Sequence, residues 1–136
     1  MVRASALLLC GLAFCSNALA DRMKDNWDFI MSSNDQSVRY DYYLRKGSFI
    51  HQNGKSTILV QQLANDSASR PMKVFYYQAE ISDSTCNAGY GKINFNDTTG
   101  KLLQDFDYIS NGESNSSVIG DLVCGMRNTF QREGKI

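Results

Sequence analysis

Apolar and polar residues alternate along most of this chain, and the alternation gives way to a helical period only near its end. Trp27, Phe29 and Met31 alternate with Asp28, Ile30 and Ser32, the period-two signature of a half-buried strand, and a turn is expected at "SSNDQS". Val38, Tyr40, Tyr42 and Leu44 then alternate with Arg39, Asp41, Tyr43 and Arg45, which gives one apolar face and one charged face. Lys46-Gly47 and Asn53-Gly54 are turn dipeptides, and "SFIHQ" between them predicts a short strand. "STILVQQL" predicts another strand, followed by the connection "ANDSASRP", whose proline at 71 fits a loop entering a sheet edge.

In "MKVFYYQAEI", Phe75, Tyr77, Ala79 and Ile81 share one face, and Val74, Tyr76, Gln78 and Glu80 share the other. Apolar groups on both faces predict a central strand. Cys86 stands where that strand is expected to end, before the glycine-rich bend "NAGYG"; "KINFN", a turn at Asp97-Thr98-Thr99-Gly100 and "KLLQDFDYI" follow. Short strands with turns every eight to twelve residues or so describe an antiparallel meander of about six strands.

From Ser116 the period changes. Ile119, Leu122, Val123, Met126 and Phe130 fall on one helical stripe, Ser116 or Ser117 is placed to cap its start, and Gly134 lies past its end. Cys124 is expected at the margin of that stripe. The predicted fold is α+β, a sheet with one C-terminal helix laid on a face and tied there by a disulfide.

Cysteine chemistry depends on compartment, and the first 20 residues speak to that. Arg3, an apolar run from Ala6 to Phe14 and the ending Ala18-Leu19-Ala20 read as a secretory signal peptide cleaved before Asp21, with residues 21–136 as a single domain. The run is too short for a membrane anchor, which takes about 20 apolar residues. Neither Cys10 after Leu9 nor Cys15 after Phe14 has the small neighbours that lipidation would want. Export leaves Cys86 and Cys124, and two cysteines in an oxidising compartment pair. A structural zinc site needs four ligands, and these two with the lone His51 do not supply them, so no metal is expected. A catalytic cysteine with His51 as base is disfavoured, because a nearby thiol would oxidise there.

Beyond the leader, thirteen Lys and Arg face fourteen Asp and Glu. That balance lacks the cationic surplus by which proteins capture nucleic acid, and no later apolar stretch is long enough to span a bilayer. Asp105 and Asp107 share a strand face and read as solvated rather than as a catalytic pair. His51, between Ile50 and Gln52, reads as a surface residue. With no nucleophile motif or phosphate loop, neither an enzyme nor a cofactor is expected. The sequons at Asn65, Asn96 and Asn115 discriminate little, since about as many arise by chance in a chain this rich in Asn, Ser and Thr.

The tyrosines carry more information. They are interleaved with Arg and Lys, a pairing enriched at protein interfaces. Tyr40, Tyr42 and Tyr77 are expected in the core, whereas Tyr43, Tyr76 and Tyr90 are equally compatible with core and interface.

The order of these signals resembles the bacterial surface-adhesin protein E family: "NWDFI", "VRYDYYL", "NGKSTILVQQL", "VFYYQAEISDSTC" and "SVIGDLVCG", from Trp27 to Phe130. The resemblance implies a Gram-negative cell-envelope or secreted protein, a curved antiparallel sheet with the disulfide-held helix on its concave side, and binding of host proteins such as vitronectin and laminin. The matching binding region is Arg70 to Lys92, so Arg70, Lys73, Tyr76, Tyr90 and Lys92 are the candidate protein-binding residues. The chain departs from the pattern in its leader, which lacks a lipid-anchor cysteine, and in carrying few basic residues in that region. The competing expectation is a periplasmic module that holds a small apolar ligand between sheet and helix, lined by Tyr40, Phe75, Met126 and Phe130. An exposed sheet edge would also permit a homodimer.

Overall fold

A computed structural model describes residues 25–136. The signal peptide read at 1–20 and its cleavage point lie outside the described residues. Seven strands form one open sheet: β1 (Trp27–Asp35), β2 (Val38–Arg45), β3 (Ile50–Gln52), β4 (Lys55–Asn65), β5 (Pro71–Ser82), β6 (Tyr90–Asn96) and β7 (Leu102–Ile109). Helices α1 (Asp83–Ala88) and α2 (Asn115–Arg132) accompany them. The spatial order is β1-β2-β4-β5-β6-β7, every pairing is antiparallel, and β3 pairs with β4 beyond the end of β2. The expected α+β meander with one C-terminal helix is therefore the fold. No helix among the described residues is long and apolar enough to cross a membrane.

The core lies between the sheet and α2. Ile58 and Val60 of β4, Ala79 and Ile81 of β5, Ile93 of β6 and Tyr108 of β7 meet Ile119 and Val123 of α2. Alternation along each strand supplies this face, and full burial of each large aliphatic side chain contributes roughly 1.5–3 kcal/mol. A β-carbon on Gly120 would fall 2.6 Å from Cε2 of Tyr108. That glycine, a weak helix former, lets the helix approach the ring.

Cys86 and Cys124 are bonded, with Cα atoms 5.5 Å apart. The cysteine does not sit at a strand end, however. It lies in α1, a single short helix that takes up the end of the expected strand and the start of the expected bend; Ser82 caps it by accepting from the Thr85 amide, and Gly89 ends it at φ 80°. Glycine suits that left-handed position.

Three further expectations shift. The first strand runs through Ser32–Asp35, and its turn falls at Gln36-Ser37, with Gln36 at φ 56°. Ile30 bulges between the pairs Phe29–Tyr43 and Met31–Tyr42, so Ile30 and Met31 both pack on the core while Phe29 faces solvent. Such a bulge breaks strict alternation. Helix α2 begins at Asn115 under a Ser114 cap, ahead of the predicted Ser116 or Ser117, because Ser114 Oγ accepts from the Ser117 amide. The buried line is also rotated: Ile119, Val123, Cys124 and Arg127 are buried, whereas Leu122, Met126 and Phe130 are half-buried.

Finally, β5 is central over only part of its length. It pairs with β6 from Gln78 to Ile81, whereas Pro71–Tyr77 have only β4 as a strand neighbour among the described residues. The expected entry of Pro71 at an edge holds, with the proline as the first residue of the strand.

Candidate functional site

Three features outside the core carry polar or aromatic chemistry. The first is on the sheet face opposite α2. Register places Phe29, Tyr43, Gln61 and Tyr76 directly across from one another on β1, β2, β4 and β5. The Phe29 and Tyr43 rings meet edge-on at 5.7 Å, and Gln61 Nε2 donates to the Tyr76 hydroxyl at 3.0 Å. Trp27 leans across to 6.0 Å from the Tyr76 ring, with the Arg45 guanidinium 5.5 Å from the Trp27 ring centre. Phe29 remains 60% and Tyr76 47% exposed, which leaves this row of three aromatic rings and Gln61 partly open to water.

The second feature is a groove of about 760 Å³ on the helix side, opened by the early end of β6 pairing. Phe75, Phe95, Leu103 and Phe106 form apolar walls, and Tyr42, Tyr77, Asn115 and Ser116 bring polar groups to it. Tyr77 stacks at 4.8 Å on Phe95, which in turn lies 5.1 Å from Phe106. The Tyr42 hydroxyl accepts from Asn115 Nδ2 at 3.3 Å. Burial first, then the neighbouring Tyr42, pushes the Tyr77 hydroxyl well above the ordinary tyrosine range. Tyr40 and Phe75 line this groove as the apolar-ligand reading expects, but Met126 and Phe130 do not. Those two sit further along α2, where Phe130 packs on Phe49 at 4.8 Å.

The third feature is an ion network beside the disulfide. Arg127, only 5% exposed, donates to the Asp83 carboxylate at 3.4 Å, to the Asp83 carbonyl at 3.3 Å and to Asn87 Oδ1 at 2.8 Å. His51 Nε2 lies 3.0 Å from the other Asp83 oxygen. His51 is thus a half-buried partner of α1 rather than the isolated surface residue expected. Burial acts to raise the Asp83 carboxyl, but His51 and then Arg127 outweigh it, and its pKa falls below the usual carboxylate value. This arrangement clamps α1 to β3 and α2.

The candidate binding residues fall into two groups. Arg70, Lys73 and Tyr76 lie toward the β4–β5 turn: Arg70 Nε donates to Asp66 at 2.9 Å, Lys73 Nζ sits 4.9 Å from the Phe75 ring centre, and Tyr76 belongs to the aromatic row. Tyr90 and Lys92 are at the opposite end of the sheet, about 20 Å from Tyr76 and about 30 Å from Lys73 at 3.3 Å per strand residue. Tyr90 is paired with exposed Ile109, and Lys92 contacts Asp107 at 2.7 Å, a contact that raises the lysine pKa. Asp105 and Asp107 are exposed, as expected of a solvated face. Tyr42 and Tyr77 are buried and Tyr40 half-buried; Tyr76 and Tyr90 are exposed and Tyr43 half-buried. Trp27, Phe29 and Arg127 are site residues beyond those expected. The contact of Trp27 with Arg45 and Tyr76 depends on strand pairing, whereas an arginine four residues beyond Val123 on the helical stripe was a signal for the last.

No protein-family model matches the chain, and no curated protein or solved structure matches it either.

Proposed function

We propose that this chain is an exported, non-enzymatic binding protein that recognises another protein, from a host matrix or a bacterial envelope, through the sheet face opposite α2. The single observation that carries the reading is the exposed row of Phe29, Tyr43 and Tyr76 with Trp27 and Arg45 packed against it. Trp, Tyr and Arg dominate binding energy at protein interfaces, because each combines apolar contact with a hydrogen bond. Arg70 and Lys73 extend this surface toward the β4–β5 turn, while Tyr90 and Lys92 form a separate patch. The resemblance to surface adhesins supports the same class of partner. The test is surface plasmon resonance of the purified, disulfide-bonded protein over immobilised vitronectin and laminin. Saturable binding that Tyr76→Ala and charge reversal at Arg70 and Lys73 weaken is expected. No saturable binding to either protein would sink this reading.

A second reading, a module that holds a small apolar ligand between sheet and helix, is supported by the groove beneath the start of α2. At about 760 Å³ it lies within the range of small-molecule sites, roughly 300–1,000 Å³.

A further inference from the structure

The groove has donors with nothing to donate to. Tyr77 is 7% exposed, it lines the groove, and its hydroxyl has no hydrogen-bond partner among the described residues. The hydroxyl is not one of the fully buried unpartnered polar atoms, so it opens into the groove while its ring, 4.8 Å from that of Phe95, stays buried. A phenol with a buried body and an open hydroxyl that meets no acceptor among the described residues marks a place that a ligand oxygen fits.

Helix α2 supplies the second set of donors. Its cap Ser114 satisfies the Ser117 amide, and the Ser114 carbonyl accepts from Val118, but the Asn115 and Ser116 amides have no partner among the described residues. Both residues line the groove. The first turn of α2 carries no acidic side chain, and Glu113, just ahead of the cap, is exposed and outside the groove lining, so the positive end of the helix dipole is open on the groove side.

Charge decides the sign of the ligand. The groove lining contains neither Asp nor Glu to repel an anion or to hold a cation. Outside the lining, Lys73 Nζ sits 4.9 Å from the centre of the Phe75 ring, a wall of the groove, and makes no ion pair among the described residues. The walls are mostly aromatic carbon from Phe75, Phe95 and Phe106.

We propose that this groove binds an amphiphilic carboxylate: a hydrocarbon body along Phe75, Phe95 and Phe106, and a carboxylate head at the Tyr77 hydroxyl and the open amide end of α2. The proposal rests on the second reading above, that the groove holds a small ligand, and adds the chemical class of that ligand. A carboxylate accepts from several donors at once, and charge-assisted bonds are about twice as strong as neutral ones. The hydrocarbon body is the part that the aromatic walls remove from water.

The test uses the purified disulfide-bonded protein and N-phenyl-1-naphthylamine, a neutral apolar fluorophore, as reporter of groove occupancy. Dodecanoate and dodecylamine are then compared as displacers. Dodecanoate is expected to displace the reporter at concentrations at least about tenfold below dodecylamine. Tyr77→Phe keeps the ring and removes only the donor, and it is expected to weaken dodecanoate by about tenfold or more relative to the same variant's affinity for the reporter. Asn115→Asp puts a negative charge at a helix start, where it favours the helix, and is expected to weaken dodecanoate comparably without loss of fold. If the reporter binds but the two displacers compete equally, or both variants bind dodecanoate as the parent does, the carboxylate assignment is overturned and the ligand reading stands. If the reporter does not bind at all, the ligand reading fails, and the carboxylate assignment with it.

Discussion

Arg127 of α2 and Asp83 of α1 are joined by two hydrogen bonds, one to the carboxylate and one to the backbone carbonyl, close to the disulfide that joins the same two helices. The covalent and ionic ties therefore act on one junction. Replacing Arg127 by Met leaves the Asp83 carboxylate with only His51, and removal of one partner from a buried pair costs about 3–5 kcal/mol. Asp83 is partly exposed, so the lower end of that range is expected. Urea unfolding of Arg127→Met against the parent measures it.

The same junction sets an acid limb. The folded-state pKa of Asp83 is lowered below its ordinary 3.8, so its stabilisation is present above that value and is lost as pH falls through the folded pKa. Urea midpoints of the parent and of Asp83→Asn are expected to differ at pH 6 and to converge as pH drops below about 3.8.

Reduction of the disulfide opens a loop whose ends are 38 residues apart. The chain-entropy relation gives about 4 kcal/mol of lost stability. Thermal unfolding with and without reductant is expected to show a lower midpoint in the reduced form, and equal midpoints would mean that the ionic tie alone holds α2.

Two glycines of α2 are expected to respond with opposite sign. A β-carbon at Gly120 runs into the Tyr108 ring, and overpacking of this kind costs about 1–3 kcal/mol. Nothing lies within 4 Å of such a carbon at Gly125, where alanine is expected to stabilise by about 0.5–1 kcal/mol. Urea unfolding of Gly120→Ala and Gly125→Ala checks both.

Tyr108 supplies an alkaline limb. Burial, and then its hydrogen bond to Asp121 at 2.7 Å, push its pKa up to about 12. A raised pKa means stabilisation present below the unfolded value near 10 and lost as pH rises through about 12. Tyr108→Phe is expected to flatten that loss when stability is followed from pH 9 to 12.

Much of the fold was legible because alternation and the helical stripe are local signals. The strands around Val38–Arg45 and Lys55–Asn65 and the closing helix follow from them, while the cysteine pair followed from there being just two cysteines beyond the expected leader. What escaped depends on neighbours distant in sequence. The bulge at Ile30 shows itself only against β2, and the one-turn helix around Cys86 is too short to have a period. The groove exists because β6 pairs with only part of β5, a matter of register between hairpins that no single segment encodes. Of the candidate residues, Tyr76 found aromatic neighbours, whereas Tyr90 and Lys92 ended at the far end of the sheet because β6 runs antiparallel and pairs with only the last part of β5.

Site-specific photo-cross-linking tests the protein-recognition claim most directly. A photoreactive phenylalanine analogue at Tyr76, within the aromatic row, is expected to capture the bound protein; the same group at Ile109, an exposed apolar residue on β7, is expected to leave it uncaptured. Capture from position 109 with none from position 76 would contradict recognition through the aromatic face.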